Sequence, residues 1–192
     1  MMAAIVVVLL GAAHAVPAAG LGPGTNLPAL TLNDQHDAPG QIDATTWMVL
    51  FTRDMDASKV AKEALAENGE HLLDKAGVIY VADIARMPGF VTRFFAVPAM
   101  RKRPYRMFLD REGDATASFP TEEGHVTLIR LDGLTIRRVE HLDSAWALRR
   151  ALRAAAAERA TSAEQIPAPA PETPAAESEA PDAPSTVDQP DS

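Results

Sequence analysis

Apolar residues are laid along this chain in two rhythms. Trp47 to Phe51 is an unbroken apolar run bounded by polar residues, and Gly77 to Ala82 is a second, β-branched one. Runs of this length suit buried central strands. Between them Val60, Ala64, Leu65, Leu72 and Leu73 fall on or near one helical face, which predicts a helix over 57–75 with Asn68-Gly69 placed to interrupt it. A second helix is expected from Pro88 to Ala96, with proline at a first helical position and Phe90, Val91, Phe94 and Phe95 as its buried face. Val97 to Pro104 reads as irregular and basic. Tyr105 to Leu109 reads as a strand closed by the turn Asp110-Arg111-Glu112-Gly113.

The C-terminal half of the pattern is sharper. His125 to Leu131 and Leu134 to Glu140 are strand-like runs on either side of Asp132-Gly133, a strong hairpin signal. Asp143 or Ser144 is placed to cap a last helix over 145–159, with Trp146, Leu148, Ala151 and Leu152 buried and Arg149, Arg150 and Arg153 in water. Near the start, Pro28 to Leu32 is extended and Asn33 to Asp37 with Pro39-Gly40 makes a turn. No internal repeat is present.

Composition changes the picture at the two ends. Met1 to Ala15 is apolar and closes on Ala13-His14-Ala15, small residues at −3 and −1 of a cleavage point, although no Lys or Arg precedes the run. This predicts a signal peptide over 1–15 and a periplasmic or secreted protein, with no stable membrane span after cleavage. A Gly/Pro-rich lead-in (16–27) connects it to the domain (28–159). From Ala160 onward the chain has seven of its fifteen prolines, seven acidic residues after Arg159 and no Lys or Arg, so 160–192 is expected to be a disordered acidic tail. The formal charge of −8 therefore comes mostly from that tail, and the near-neutral domain gives no reason to expect a nucleic-acid partner.

The chain has no cysteine. This matters because the order strand, helix, strand, helix, hairpin, helix is similar to that of thioredoxin-like domains. The likeness is carried by Trp47 to Phe51 entering a polar turn, and by Val126 to Ile136 running through a hairpin toward the last helix. Gly24 to Leu32 resembles the entry of thiol–disulfide exchange and peroxiredoxin-type members. With Met87-Pro88-Gly89-Phe90 after the second strand and Asp110-Arg111-Glu112-Gly113 before the hairpin, the chain resembles the YtfJ-type family of small periplasmic proteins, cysteine-free thioredoxin-like domains of unknown function. The resemblance covers roughly residues 22–157. It implies an α/β, three-layer thioredoxin-like sandwich with a central mixed sheet, a C-terminal β-hairpin and a helix. Counted along that pattern, Asp56 and Lys59 stand where the redox cysteines would be, and His125 stands where the facing proline would be. A thiolate is the nucleophile of thiol–disulfide exchange and of peroxide reduction, so neither activity is expected.

Four groups of residues invite a functional reading. Asp54 and Asp56, with Ser58 and Lys59, lie where a buried strand turns into a helix. They could bind a cation, but aspartate there is first of all a helix cap. Asp54-Met55-Asp56-Ala57-Ser58 also resembles the first motif of haloacid-dehalogenase-type phosphatases, yet Gly113-Asp114 is followed four residues on by Ser118 where a further acid is needed. His125 could face Asp56 as a base or metal ligand. Arg101, Lys102, Arg103 and Arg106 form the densest positive patch and could hold an anion or an acidic partner; a solvated loop is the plainer reading. No metal motif and no cofactor motif is found. The expectation is a redox-inactive binding or scaffold module for an unknown protein or small ligand, using the edge around Asp54 to Ser58 and Gly124 to Val126. The alternative is a metal-dependent hydrolase or phosphatase-like enzyme using Asp54, Asp56 and His125.

Overall fold

The computed structural model describes residues 21–164. The predicted signal peptide, and the tail beyond Glu164, lie outside them. Among the described residues seven strands form one mixed sheet: β1 (Leu30–Asp34), β2 (Pro39–Ile42), β3 (Met48–Thr52), β4 (Val78–Asp83), β5 (Phe108–Asp110), β6 (Val126–Asp132) and β7 (Thr135–Leu142), in the order β2-β1-β5-β4-β3-β6-β7. The two apolar runs sit where they must. β3 is buried along its whole length and lies between β4, parallel to it, and β6, antiparallel. Parallel neighbours need crossovers, and helices supply them. α1 (Met55–Ala64) and α2 (Gly69–Ala76) join β3 to β4, and a helical segment over 89–101 joins β4 to β5. The break between α1 and α2 falls at Asn68, which takes a left-handed φ of 57°.

Alternation along the strands divides the core in two. Met48, Leu50, Tyr80, Ala82 and Leu128 face one side, where α1, α2 and α5 (Ala145–Glu164) bring Ala57, Ala61, Leu73, Leu148 and Leu152. Val49, Phe51, Val81 and Ile129 face the other, where Leu27 and Phe119 cover them from irregular chain. The third layer of the sandwich is thus loop and lead-in segment; among the described residues no helix contributes to this second cluster.

Several local expectations are corrected. Pro39-Gly40 opens an edge strand, β2, where proline is tolerated because its missing N–H faces no partner. Gly40 is required there, since a Cβ would overlap the Phe108 ring. Val97 to Arg101 is helical, not irregular. The last helix continues through Glu164. Leu148 and Leu152 are buried as expected, but Trp146 is 67% exposed, with the Arg150 guanidinium 4.9 Å from its ring centroid.

The largest correction concerns the segment after β4. It comprises α3 (Gly89–Val91), a π turn (Thr92–Ala96) and α4 (Val97–Arg101). On an unbroken α-helix Phe90, Phe94 and Val97 would share a face. A π turn adds one residue to the turn and rotates the residues beyond it by about 100°. Val97 is turned into the core, while Phe90, Phe94 and Phe95 remain outside, each 66% exposed.

Candidate functional site

The C-terminal ends of β3, β4 and β5 and the start of β6 share one edge of the sheet. Asp54 lies just beyond β3. Its Oδ1 accepts the Ala57 N–H at 2.8 Å, capping α1, and its Oδ2 accepts the Gly124 N–H at 3.0 Å. One carboxylate therefore caps a helix and fastens the loop before β6 to the end of β3. Asp56 is exposed and bound to Lys59 at 2.7 Å. That hydrogen bond, and then the charge of Asp56, hold the Lys59 ammonium above its ordinary range. Ser58 is partly buried within α1, and its N–H donates to the Asp54 carbonyl. His125 lies one residue beyond Gly124, so its loop does meet that of Asp54. Its ring, however, is turned to its own segment, with Nδ1 2.8 Å from the Glu123 carbonyl and Nε2 3.8 Å from Glu122.

These positions do not make a hydrolytic centre. Both Asp54 oxygens accept backbone N–H groups, Asp56 faces solvent and His125 faces Glu122 and Glu123. Among the described residues no three His, Asp or Glu side chains converge as metal ligands. The geometry gives the hydrolase alternative no support.

The basic patch is also built differently from either expectation. Arg101 donates to the Gln35 carbonyl and to Asp37, each at 2.7 Å, and Arg111 reaches the other oxygen of Asp37 at 2.6 Å. Arg106 binds Asp34 at 2.8 Å and lies over the Phe108 ring. Burial pushes the Asp34 carboxyl up, but the N–H groups of Ala38 and His36 and the Arg106 guanidinium outweigh it and hold the group below the usual carboxylate range. Arg103 donates to the Tyr105 hydroxyl at 2.8 Å. Three of the four cations thus clamp the β1–β2 turn and the approach to β5. Lys102 is exposed.

Two features are not anticipated by the sequence pattern. One is a buried polar network on the second face. Arg53 Nε meets Asp83 at 3.0 Å, its guanidinium also donates to the Thr116 carbonyl, and it lies 5.3 Å from the Phe51 ring centroid. Neighbouring Asp110 is saturated by the N–H groups of Gly113 and Thr116 and by the Thr116 hydroxyl. The available signal is a charged residue at the end of each apolar run.

The other is an exposed aromatic ridge. Phe90, Phe94 and Phe95 project from the segment whose Gly89, Thr92, Arg93 and Val97 help line a groove of about 710 Å³, with Arg101 and Arg111 and with no carboxylate in its wall; the three rings themselves lie outside that lining. Met55, at the start of α1, is 58% exposed. The signal for this feature is in the charge pattern: between Asp83 and Asp110 the chain has six basic residues and no acidic one. A larger groove of about 830 Å³ lies between α5 and the β6–β7 hairpin. Three of its four arginines are matched by acids: Arg130 by Glu158 at 2.6 Å, Arg137 by Asp132 at 2.5 Å and Arg138 by Glu140 at 3.0 Å; the fourth, Arg150, lies over the Trp146 ring.

No family model matches the chain, and no curated protein matches it by sequence. Solved structures do match it. A Bacteroides thetaiotaomicron protein assigned as a protein disulfide isomerase aligns with a TM-score of 0.50 and 13% identity, over 75% of this chain and 98% of that one. An uncharacterised conserved protein of Geobacillus kaustophilus gives 0.50 and 13%, over 71% and 82%. A peroxidoxin of Mycobacterium tuberculosis gives 0.49 and 14%, over 72% and 97%. At such identities the likeness shows the fold and nothing of the chemistry. The chain has a thioredoxin-like α/β fold. It is a version of that fold without cysteine.

Proposed function

We propose that this chain is a redox-inactive, thioredoxin-like binding module that takes a protein partner on the aromatic ridge beside the former redox edge. One observation carries the reading. Three of the chain's six phenylalanines are two-thirds exposed on a single short helical segment. Large apolar side chains scattered singly on a surface mean little, but a cluster next to a groove is a recognition feature. The cations around it narrow the partner to a surface offering apolar area together with carboxylates, since aromatic and Arg side chains dominate interface energetics. The expected export and the resemblance to the YtfJ-type family fit such a role, and we extend both to the proposal: an extracytoplasmic adaptor without thiol chemistry.

The test uses the full-length protein. F90S/F94S/F95S should keep the unfolding midpoint of the wild type and lose a partner that wild type captures from an extracytoplasmic fraction. A partner that ignores this variant and is lost in D54A or H125A would move the site back to the former redox corner and overturn the reading.

A further inference from the structure

Resting on that reading of the ridge, we propose that its resident occupant is the chain's own C-terminal segment, residues 165–192, which folds back and covers Phe90, Phe94 and Phe95 until a partner displaces it. The first argument is chemical fit. The segment holds seven prolines and six acidic residues and has no Lys or Arg. Proline-rich chain docks on exposed aromatic rings because its extended form is already ordered and its rings stack on theirs. Carboxylates pair with guanidinium groups. The ridge offers both surfaces. Three phenylalanines project there, Arg101 and Arg111 share the single carboxylate of Asp37, and among the described residues Arg86, Arg93 and Lys102 have no ion pair.

The second argument is discrimination. The other arginine-lined groove, beside α5, has an acid of its own for Arg130, Arg137 and Arg138. A docking acid at those three would have to break a formed pair, and the remaining arginine, Arg150, is stacked over the Trp146 ring. At the ridge no carboxylate lines the groove.

The third argument is reach. α5 starts beside the Asp54–Gly124 corner and ends at the opposite edge, where Arg159 lies against Gly77. Returning along its 20 residues takes about 30 Å. Extended proline-rich chain covers that in roughly ten residues, at about 3.1 Å each. Ten residues from Gln165 end at Pro174, so the eighteen that follow, with Glu177, Glu179, Asp182 and Asp188 among them, are left for the further step from that corner to the ridge.

Because the chain has no cysteine, one introduced thiol can be labelled uniquely. A nitroxide on S185C of the full-length protein should broaden the amide resonances of residues 89–101 at least two-fold more than those of β6 and β7. Roughly 0.5 M salt, which cuts the screening length to a few ångströms, should reverse the effect. So should E177Q/E179Q/D182N/D188N in the same labelled chain. Broadening that is absent, uniform, or centred on Arg130 to Arg138 overturns the proposal. So does broadening seen only between molecules, when labelled and isotope-enriched chains are mixed, because that makes a second copy the occupant. None of these outcomes touches the partner-binding reading, which stands or falls on capture by the phenylalanine variant.

Discussion

Two stretches of the same sheet edge are opposites. At the Asp54–His125 corner the side chains look chemical, yet its two carboxylates and its imidazole are bonded within it: Asp54 to Ala57 and Gly124, Asp56 to Lys59, His125 to Glu123. At the ridge the side chains look like core, yet they are in water. The comparison teaches that residue type is a poor guide to where a fold keeps its unsatisfied surface. A group already satisfied has little to give a ligand, whereas an exposed aromatic gains area on any contact.

The sharpest way to break this contrast is through stability, because the satisfied groups should matter to folding and the ridge should not. Arg53→Ala leaves Asp83 buried without its cation. The expected loss is about 3–5 kcal/mol by chemical denaturation, and a loss below about 1 kcal/mol would mean that water replaces the pair. Next comes Tyr80, whose buried phenol is pushed up to about 12, chiefly by burial. Its folded value lies above its unfolded one, so its contribution is fully present below pH 10 and is lost as the pH rises through about 12. Stability should fall by roughly 2–3 kcal/mol across that window, read from denaturation midpoints, and the fall should shrink in Y80F. Asp54→Ala should cost about 1–2 kcal/mol, mostly recovered by Asn, which also caps. Smallest of all, F94S should change stability by less than about 0.5 kcal/mol. A large loss there would place Phe94 in the core after all and erase the difference between the two regions.

How much of this is legible in the sequence depends on what each feature rests on. β3, β4 and the β6–β7 hairpin are readable because burial on both faces writes an unbroken apolar run and a tight turn writes Asp-Gly. Asp54 as a cap is readable because capping is local. The Arg53–Asp83–Thr116 network is not, since it joins segments that only the sheet order brings together. The ridge is hidden for a subtler reason. Helical periodicity assumes a constant turn, and Phe90, Phe94 and Val97 do line up at 3.6 residues. One π turn cancels that alignment. The basic run is hidden because its partners, Asp34 and Asp37, lie more than sixty positions away in sequence.

That π turn also shows how a chain can lengthen without being rebuilt. In length it is a single extra residue. Were Arg93 deleted, the segment could wind as continuous α-helix, and Val97 would stand six positions beyond Phe90, about 240° around the helix, much as it does now. The turn therefore absorbs one inserted residue while Val97 stays inward and Phe90 outward, with the sheet beneath it left as it was.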